Sequence, residues 1–162
     1  MVWLQTQLQV RAPVTGLHLI TDAVRAAVPQ IRGVQVGLLH LFLQHSSAGL
    51  AINENADPDV RADLNDWLRR VAPDADPRYR HQEEGPDDMS AHIKSALTGV
   101  SLSVPVRGGG LALGAWQGVY LCEFRASTMV RNGGLGRRLI ETVILNDSLR
   151  NISSKKPHPT GF

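Results

Sequence analysis

The chain has 162 residues, 43% of them hydrophobic and 20% charged, with 17 Lys and Arg against 15 Asp and Glu. That length and balance predict one globular domain whose core is large enough to stand without staples. The net charge of +2 sits in the last stretch, where Arg150, Lys155 and Lys156 face Asp147. The remaining body is neutral, which argues against a nucleic-acid-binding surface.

Cys122 is the single cysteine, so an internal disulfide and a Cys-based zinc site are both excluded. It lies in the apolar run 119–124 and reads as a buried structural thiol, in keeping with a reducing cytoplasm. No apolar run approaches the ~18 residues of a transmembrane helix. The first residues lack the pattern of a signal peptide. A cytoplasmic protein with no membrane partner is expected.

Residues 2–10 alternate apolar and polar, the pattern of a half-buried strand. Pro13 and Gly16 end it. Leu17, Ile20, Val24 and Val28 then recur at helical spacing, predicting a helix over 17–28 that stops at Pro29. Gly33 marks a turn. Residues 34–43 are nearly continuous in apolar character, which predicts a central strand covered on both faces. Asp57-Pro58 is a helix start, a capping side chain followed by proline at the first helical position. Val60, Leu64, Trp67, Leu68 and Val71 supply its stripe.

A loop over 78–87 leads to a short helix capped by Asp88 or Ser90. Its expected buried side is Met89, Ile93 and Leu97, and Gly99 closes it. Strand-like runs follow at 100–106, 111–115, 119–125 and 139–145, the first two joined by Gly108-Gly109-Gly110. Strands and helices mix without strict alternation, so the class is α+β. Residues 1–145 form one domain in this reading. Residues 146–162, rich in Asn, Ser, Lys and Pro, form a polar basic extension outside it.

Three polar clusters carry candidate chemistry. The first is QHSSAGLAINEN, after the apolar strand. His45 there is a metal ligand, a proton donor, or a histidine bonded to backbone. Asn53, Glu54 and Asn55 precede a helix and equally suit a turn and cap. The second is YRHQEEGPDDMSAH. Asp88 and His92 are four apart and so share a helical face, where a carboxylate can orient an imidazole for a metal or substrate. The helix start near Asp87 and Asp88 is a candidate anion site. The alternative is a solvated acidic loop. The third is LGAWQGV, in which Trp116 is either core or a pocket wall and the Gln117 amide is free to bond a ligand. His45, His81 and His92 together would make a zinc site with an open position, although no HExxH motif is present. His18, His40 and His158 receive no role.

The segments HSSAGLAINENADPDV, YRHQEEGPDDMSAHIKSAL and LALGAWQGVYLCEFR, in this order, resemble the YjbQ-like family. The resemblance runs from the first strand to about Arg125. It implies an α+β fold with a mostly antiparallel or mixed sheet, about three helices and a homotrimeric assembly with subunit interfaces near the polar pocket. It also implies secondary thiamine-phosphate synthase activity, in which a thiazole phosphate displaces pyrophosphate from a pyrimidine. By position, the family's polar set falls on His45, Asn53, Glu54, His81, Glu84, Asp87, Asp88, His92, Trp116 and Gln117. Two departures stand out: Ala115 replaces the family's usual Thr, and the chain continues past the last strand.

Two classes of function are open from the sequence. In the first, an enzyme, Asp87 and Asp88 hold Mg²⁺ against a pyrophosphate. His92 or His45 moves a proton, and Asn53, Glu54, Glu84, Trp116 and Gln117 bind a small phosphorylated metabolite. A variant of this class is a zinc hydrolase built on His45, His81 and His92. In the second, the same pocket belongs to a non-catalytic trimer that binds a metabolite or a metal.

Overall fold

The computed structural model describes residues 2–126 and 137–146. Among these residues eight strands and three helices follow one another as β1 (Val2–Arg11), β2 (Gly16–Leu19), α1 (Thr21–Ala27), β3 (Val36–Leu43), β4 (Ala48–Glu54), α2 (Pro58–Val71), α3 (Asp88–Thr98), β5 (Ser101–Arg107), β6 (Gly110–Leu111), β7 (Gln117–Glu123) and β8 (Arg137–Asn146). A 3₁₀ turn, Pro29–Gly33, follows α1. The strands form a five-stranded sheet ordered β1-β8-β3-β5-β6 and a three-stranded sheet ordered β2-β7-β4. Every pairing is antiparallel. The expected α+β class is the one observed.

The main core lies between the two sheets. Leu39, Leu41 and Leu43 of β3 and Ile140 and Ile144 of β8 meet Ala48, Leu50, Val119 and Leu121 across it, with Val24 and Val28 beside them. A second cluster, on the other face of the small sheet, joins Tyr120, Cys122 and Phe124 to Leu68 of α2 and Ala91 of α3. Successive side chains of a strand point to opposite faces, so β7 sends Val119 and Leu121 into one cluster and Tyr120 and Cys122 into the other. Cys122 is fully buried, and burial pushes its thiol up to about 12.

Four expectations change. Residues 17–28 are not one helix. Gly16–Leu19 pairs with Tyr120–Glu123 as β2, and only then does α1 begin. The apolar residues at 20, 24 and 28 do form one buried stripe, but Leu17 serves the second cluster. Residues 48–54, read as a polar segment after a strand, are themselves a strand, β4. The strand buried on both faces is β7 rather than β3: Val36 and Phe42 of β3 are exposed at 67% and 43%. The run expected at 111–115 contributes only Gly110–Leu111.

The correction that matters for function concerns α3. Its buried residues are Asp88, Ser90, Ala91, Lys94 and Ser95, while Leu97 is 54% exposed. The helix seats on β4 by close backbone approach rather than by large apolar side chains. A Cβ on Gly49 would lie 2.0 Å from Thr98 Oγ1 and 3.0 Å from the Gly99 carbonyl oxygen. The Ser95 hydroxyl donates to the Ala48 carbonyl at 2.7 Å. Small and polar residues therefore face inward, while Met89 and Ile93 are half-buried and Leu97 is exposed.

This seating is testable. Gly49→Ala forces Thr98 and the end of α3 away from β4, so we predict a loss of roughly 1–3 kcal/mol, as for other overpacked sites. Urea denaturation of the variant measures it. Unchanged stability would mean that the helix does not need this approach.

Candidate functional site

The N-terminal end of α3 gathers the chemistry. Asp88 is 1% exposed. Arg125, just past β7, donates Nη1–H to Asp88 Oδ1 and Nη2–H to the Glu84 carbonyl at 2.7 Å. Its Nε lies 3.3 Å from Asp87 Oδ1, and Nη1 lies 3.7 Å from Glu84 Oε2. Asp87 also accepts from the Ala126 backbone N–H at 2.8 Å. Three of the four acidic residues expected around a ligand, Glu84, Asp87 and Asp88, thus converge on one guanidinium. Asp87 and Asp88, the residues expected to hold Mg²⁺, both contact Arg125.

His81 and His92 flank the same carboxylate. His81 Nε2 lies 2.6 Å from Asp88 Oδ2, and His92 Nε2 lies 3.6 Å from Oδ1. The rings are 5.5 Å apart between centroids. The close His81 contact is not aligned as a hydrogen bond, so Asp88 Oδ2 is buried without a hydrogen-bond partner among the described residues. His92 Nδ1 donates to the Ser46 carbonyl at 2.9 Å. A carbonyl only accepts, so Nδ1 carries a proton, and Nε2 is the nitrogen turned toward the carboxylate. Either a proton on Nε2 or a bound cation makes that contact attractive.

One ligand atom from each of His81, Asp88 and His92 lies within 4.8 Å of the others. Tetrahedral zinc with bonds of ~2.0–2.1 Å needs its donor atoms roughly 3.3 Å apart, and the two histidine nitrogens stand 2.6 and 3.6 Å from the Asp88 oxygens. His45, the third histidine of the sequence-based set, lies outside this group, and the carboxylate of Asp88 stands in its place. His45 Nδ1 instead accepts from the Ser47 N–H at 3.1 Å. Burial holds the His45 ring below the usual histidine value, assisted by the positive charge of Arg138 and opposed by Glu123.

The loop between α2 and α3 carries His81 and is tied down on both sides. Lys94, only 4% exposed, reaches from α3 to Asp74 at 3.1 Å. Ala75, at φ 56°, turns the chain so that its N–H meets the Pro86 carbonyl at 2.8 Å. Bonds from the Arg78 side chain and backbone hold the Asp76 carboxyl down at about 2.

The remaining predicted residues lie elsewhere. Asn53 and Glu54 sit opposite Gly118 and Gln117 in the β4–β7 pairing, whereas Ala48 sits opposite Glu123. Six residue steps at ~3.3 Å put these ends about 20 Å apart. At the far end the Gln117 side-chain oxygen accepts from the Gly114 N–H at 2.7 Å. Asn53 Oδ1 accepts from the Glu54 N–H at 2.7 Å, and Trp116 is 68% exposed. The structure brings together Glu84, Asp87, Asp88, His81 and His92. It does not bring Asn53, Glu54, Trp116 or Gln117 to them. Sequence reasoning missed Arg125, whose one signal was a cation directly after an apolar strand.

Comparison with known proteins bears on the whole arrangement. A family model described as "UPF0047 protein YjbQ-like" matches residues 6–145. The chain is 44% identical over 142 residues to the UPF0047 protein YjbQ of Escherichia coli O157:H7, covering 88% of this chain and 98% of that protein. It is 47% identical over 124 residues to the YjbQ protein of Salmonella typhimurium, covering 76% and 89%. A conserved hypothetical protein of Thermus thermophilus superposes with a TM-score of 0.71 at 38% identity, over 86% of this chain and 98% of that one. A protein of unknown function from Sulfolobus solfataricus shares the fold, with a TM-score of 0.75 at 24% identity over 90% and 99%. The α+β fold with its antiparallel sheets agrees with these structures, and the chain belongs to the YjbQ-like UPF0047 family.

Proposed function

We propose that the protein is a zinc-binding protein that holds a small phosphorylated metabolite at an open His81–Asp88–His92 site. The observation that carries this reading is the facing pair of His92 Nε2 and the Asp88 carboxylate, the latter buried with one oxygen lacking a hydrogen-bond partner among the described residues. Two imidazoles and one carboxylate suit zinc better than Mg²⁺, which prefers oxygen ligands and keeps its waters. Three protein ligands leave a coordination position open, as in catalytic rather than structural zinc sites.

The Arg125 charge is met by Glu84, Asp87 and Asp88, so the zinc itself and the N-terminal turn of α3 would supply the positive potential that favours an anionic ligand. When bound, zinc supplies Lewis acidity and lowers the pKa of its water to about 7, so hydrolysis is the reaction class that the donor set fits. The pyrophosphate-displacing synthase implied by the family resemblance would use the same anion site. It would need the metal to displace Arg125 from between Asp87 and Asp88.

Trp116, Gln117, Asn53 and Glu54 reach such a site only from another copy. A head-to-tail homotrimer is the arrangement that does this, because heterologous contacts close into rings. The exposure of Trp116 supports it. Sedimentation at micromolar concentration is expected to give a species three times the 17.7 kDa chain mass; a lone single-chain species would contradict the ring.

For the metal site, elemental analysis of purified protein is expected to find zinc near one equivalent per chain. His92→Ala and Asp88→Asn, with the fold intact by circular dichroism, are expected to lose roughly 100-fold or more in zinc affinity, beyond the ~10–100-fold typical of an outer-shell change. Absence of bound metal, together with no effect of zinc or Mg²⁺ on phosphate affinity, would remove this function.

A further inference from the structure

Glu123 is the last residue of β7 and is 1% exposed. Its place in the strand explains one of its contacts. Val119 and Leu121 face the core between the sheets, and alternation turns Glu123 the same way. There its Oε2 lies 2.6 Å from Nη2 of Arg138 on β8, whose side chain is 13% exposed. This pair links the three-stranded sheet to the five-stranded sheet at the end of β7.

Arg125 departs from that alternation. Tyr120, Cys122 and Phe124 face the cluster shared with the helices, so a continuing strand would send Arg125 toward β8 beside Glu123. Its guanidinium lies instead on Asp88, in the first turn of α3. The chain must therefore turn within two residues of the end of β7. The other oxygen of Glu123 sits at that turn: Oε1 accepts from the Arg125 N–H at 3.0 Å. A side chain that bonds its own backbone two residues on holds the chain out of a strand. The next N–H, that of Ala126, is taken by Asp87 Oδ2 at 2.8 Å. Two carboxylates, one on β7 and one on the start of α3, thus hold two successive N–H groups and fix the direction in which Arg125 leaves.

We propose that Glu123 is a positioning residue of the metal site: by accepting from the Arg125 N–H it turns that side chain away from the core and onto Asp88. Arg138 supplies the counter-charge that lets a carboxylate stand at that buried position. This rests on the metal-site reading above and deepens it. Arg125 donates to Asp88 Oδ1, and Oδ2 is the oxygen without a hydrogen-bond partner among the described residues. A carboxylate that ligates a metal is steadied by hydrogen bonds to the rest of the group, and Arg125 supplies one. The contacts run from Arg138 through Glu123 and Arg125 to the ligating carboxylate. Glu123 acts through Arg125 alone.

Removing one member of a buried pair strands the other charge and endangers folding, so the test compares two full-length variants that remove both charges. Glu123→Gln/Arg138→Met keeps a side-chain oxygen for the Arg125 N–H. Glu123→Leu/Arg138→Met does not. Without metal, ¹H–¹⁵N spectra of arginine-labelled protein read the guanidinium of Arg125, assigned by its absence from Arg125→Lys. Held by carboxylates, it is expected to give separate, slowly exchanging Nη–H signals in the wild type and in the Gln variant. In the Leu variant these signals are expected to average or disappear. Zinc affinity is expected to fall at least tenfold in the Leu variant, the scale of a lost outer-shell partner, and to stay within about threefold of wild type in the Gln variant. Urea denaturation of the two variants is expected to give similar midpoints.

Arg125 signals that survive in the Leu variant, or that vanish equally in both, overturn the positioning role and leave the metal site standing. So does a zinc affinity that is the same in the two variants, or one that only tracks their stability. Failure of zinc to bind the wild-type protein sinks the metal site, and with it the role of Glu123 there, whatever the spectra show of Arg125.

Discussion

A carboxylate that is 1% exposed must be compensated where it stands, because removing a charge from water costs several kcal/mol unless it is paired. Asp88 is that carboxylate, and much of the surrounding structure answers to it. It sits in the first turn of α3, where the helix dipole favours negative charge. Arg125 leaves β7 and turns its guanidinium onto Asp88, Asp87 and the Glu84 carbonyl. The loop before α3 is pinned by Lys94 and Asp74, which holds His81 over the same group. Even so, one Asp88 oxygen lacks a hydrogen bond among the described residues, and His92 Nε2 stands 3.6 Å from the other. The pairing is incomplete in the way that a cation-binding site is incomplete.

The fold's contribution is to hold these groups on rigid elements. β7 is buried on both faces and delivers Arg125 at its end. β4 brings α3 so close, at Gly49, that no side chain fits between them. The turn before β4 supplies the Ser46–Ser47 peptide, which reaches His92 on the helix from the strand side. Helix, loop and turn thus meet at one point, each anchored independently of the ligand. A site built this way needs little reorganisation when a ligand arrives.

Part of this was legible in the sequence. The i, i+4 spacing of Asp88 and His92 placed them on one helix face, and the structure puts them 3.6 Å apart. The start of α2 at Asp57-Pro58 was equally readable, since capping is local chemistry. What could not be read depends on contacts distant in the chain. The face of α3 that turns inward was misjudged because apolar periodicity marks Met89, Ile93 and Leu97, whereas a glycine on a different element decides the seating. Arg125 carries no motif of its own. The hydrogen bonds of His45 and His92 go to one backbone amide, which has no sequence signature at all. The strand period in 48–54 was masked by its polar end, Asn53-Glu54, and this hid the fact that Trp116 and Gln117 lie at the far end of β4 and β7.

The central claim is that His81, Asp88 and His92 hold one zinc ion, with His45 left out of its coordination shell. X-ray absorption at the zinc edge of the loaded protein addresses it most directly. The account predicts two imidazole nitrogens, one carboxylate oxygen and light-atom ligands completing the shell, at distances of ~2.0–2.2 Å, with the same spectrum in His45→Gln. A shell of three imidazoles that loses one in His45→Gln, or an all-oxygen shell without imidazole scattering, would contradict it.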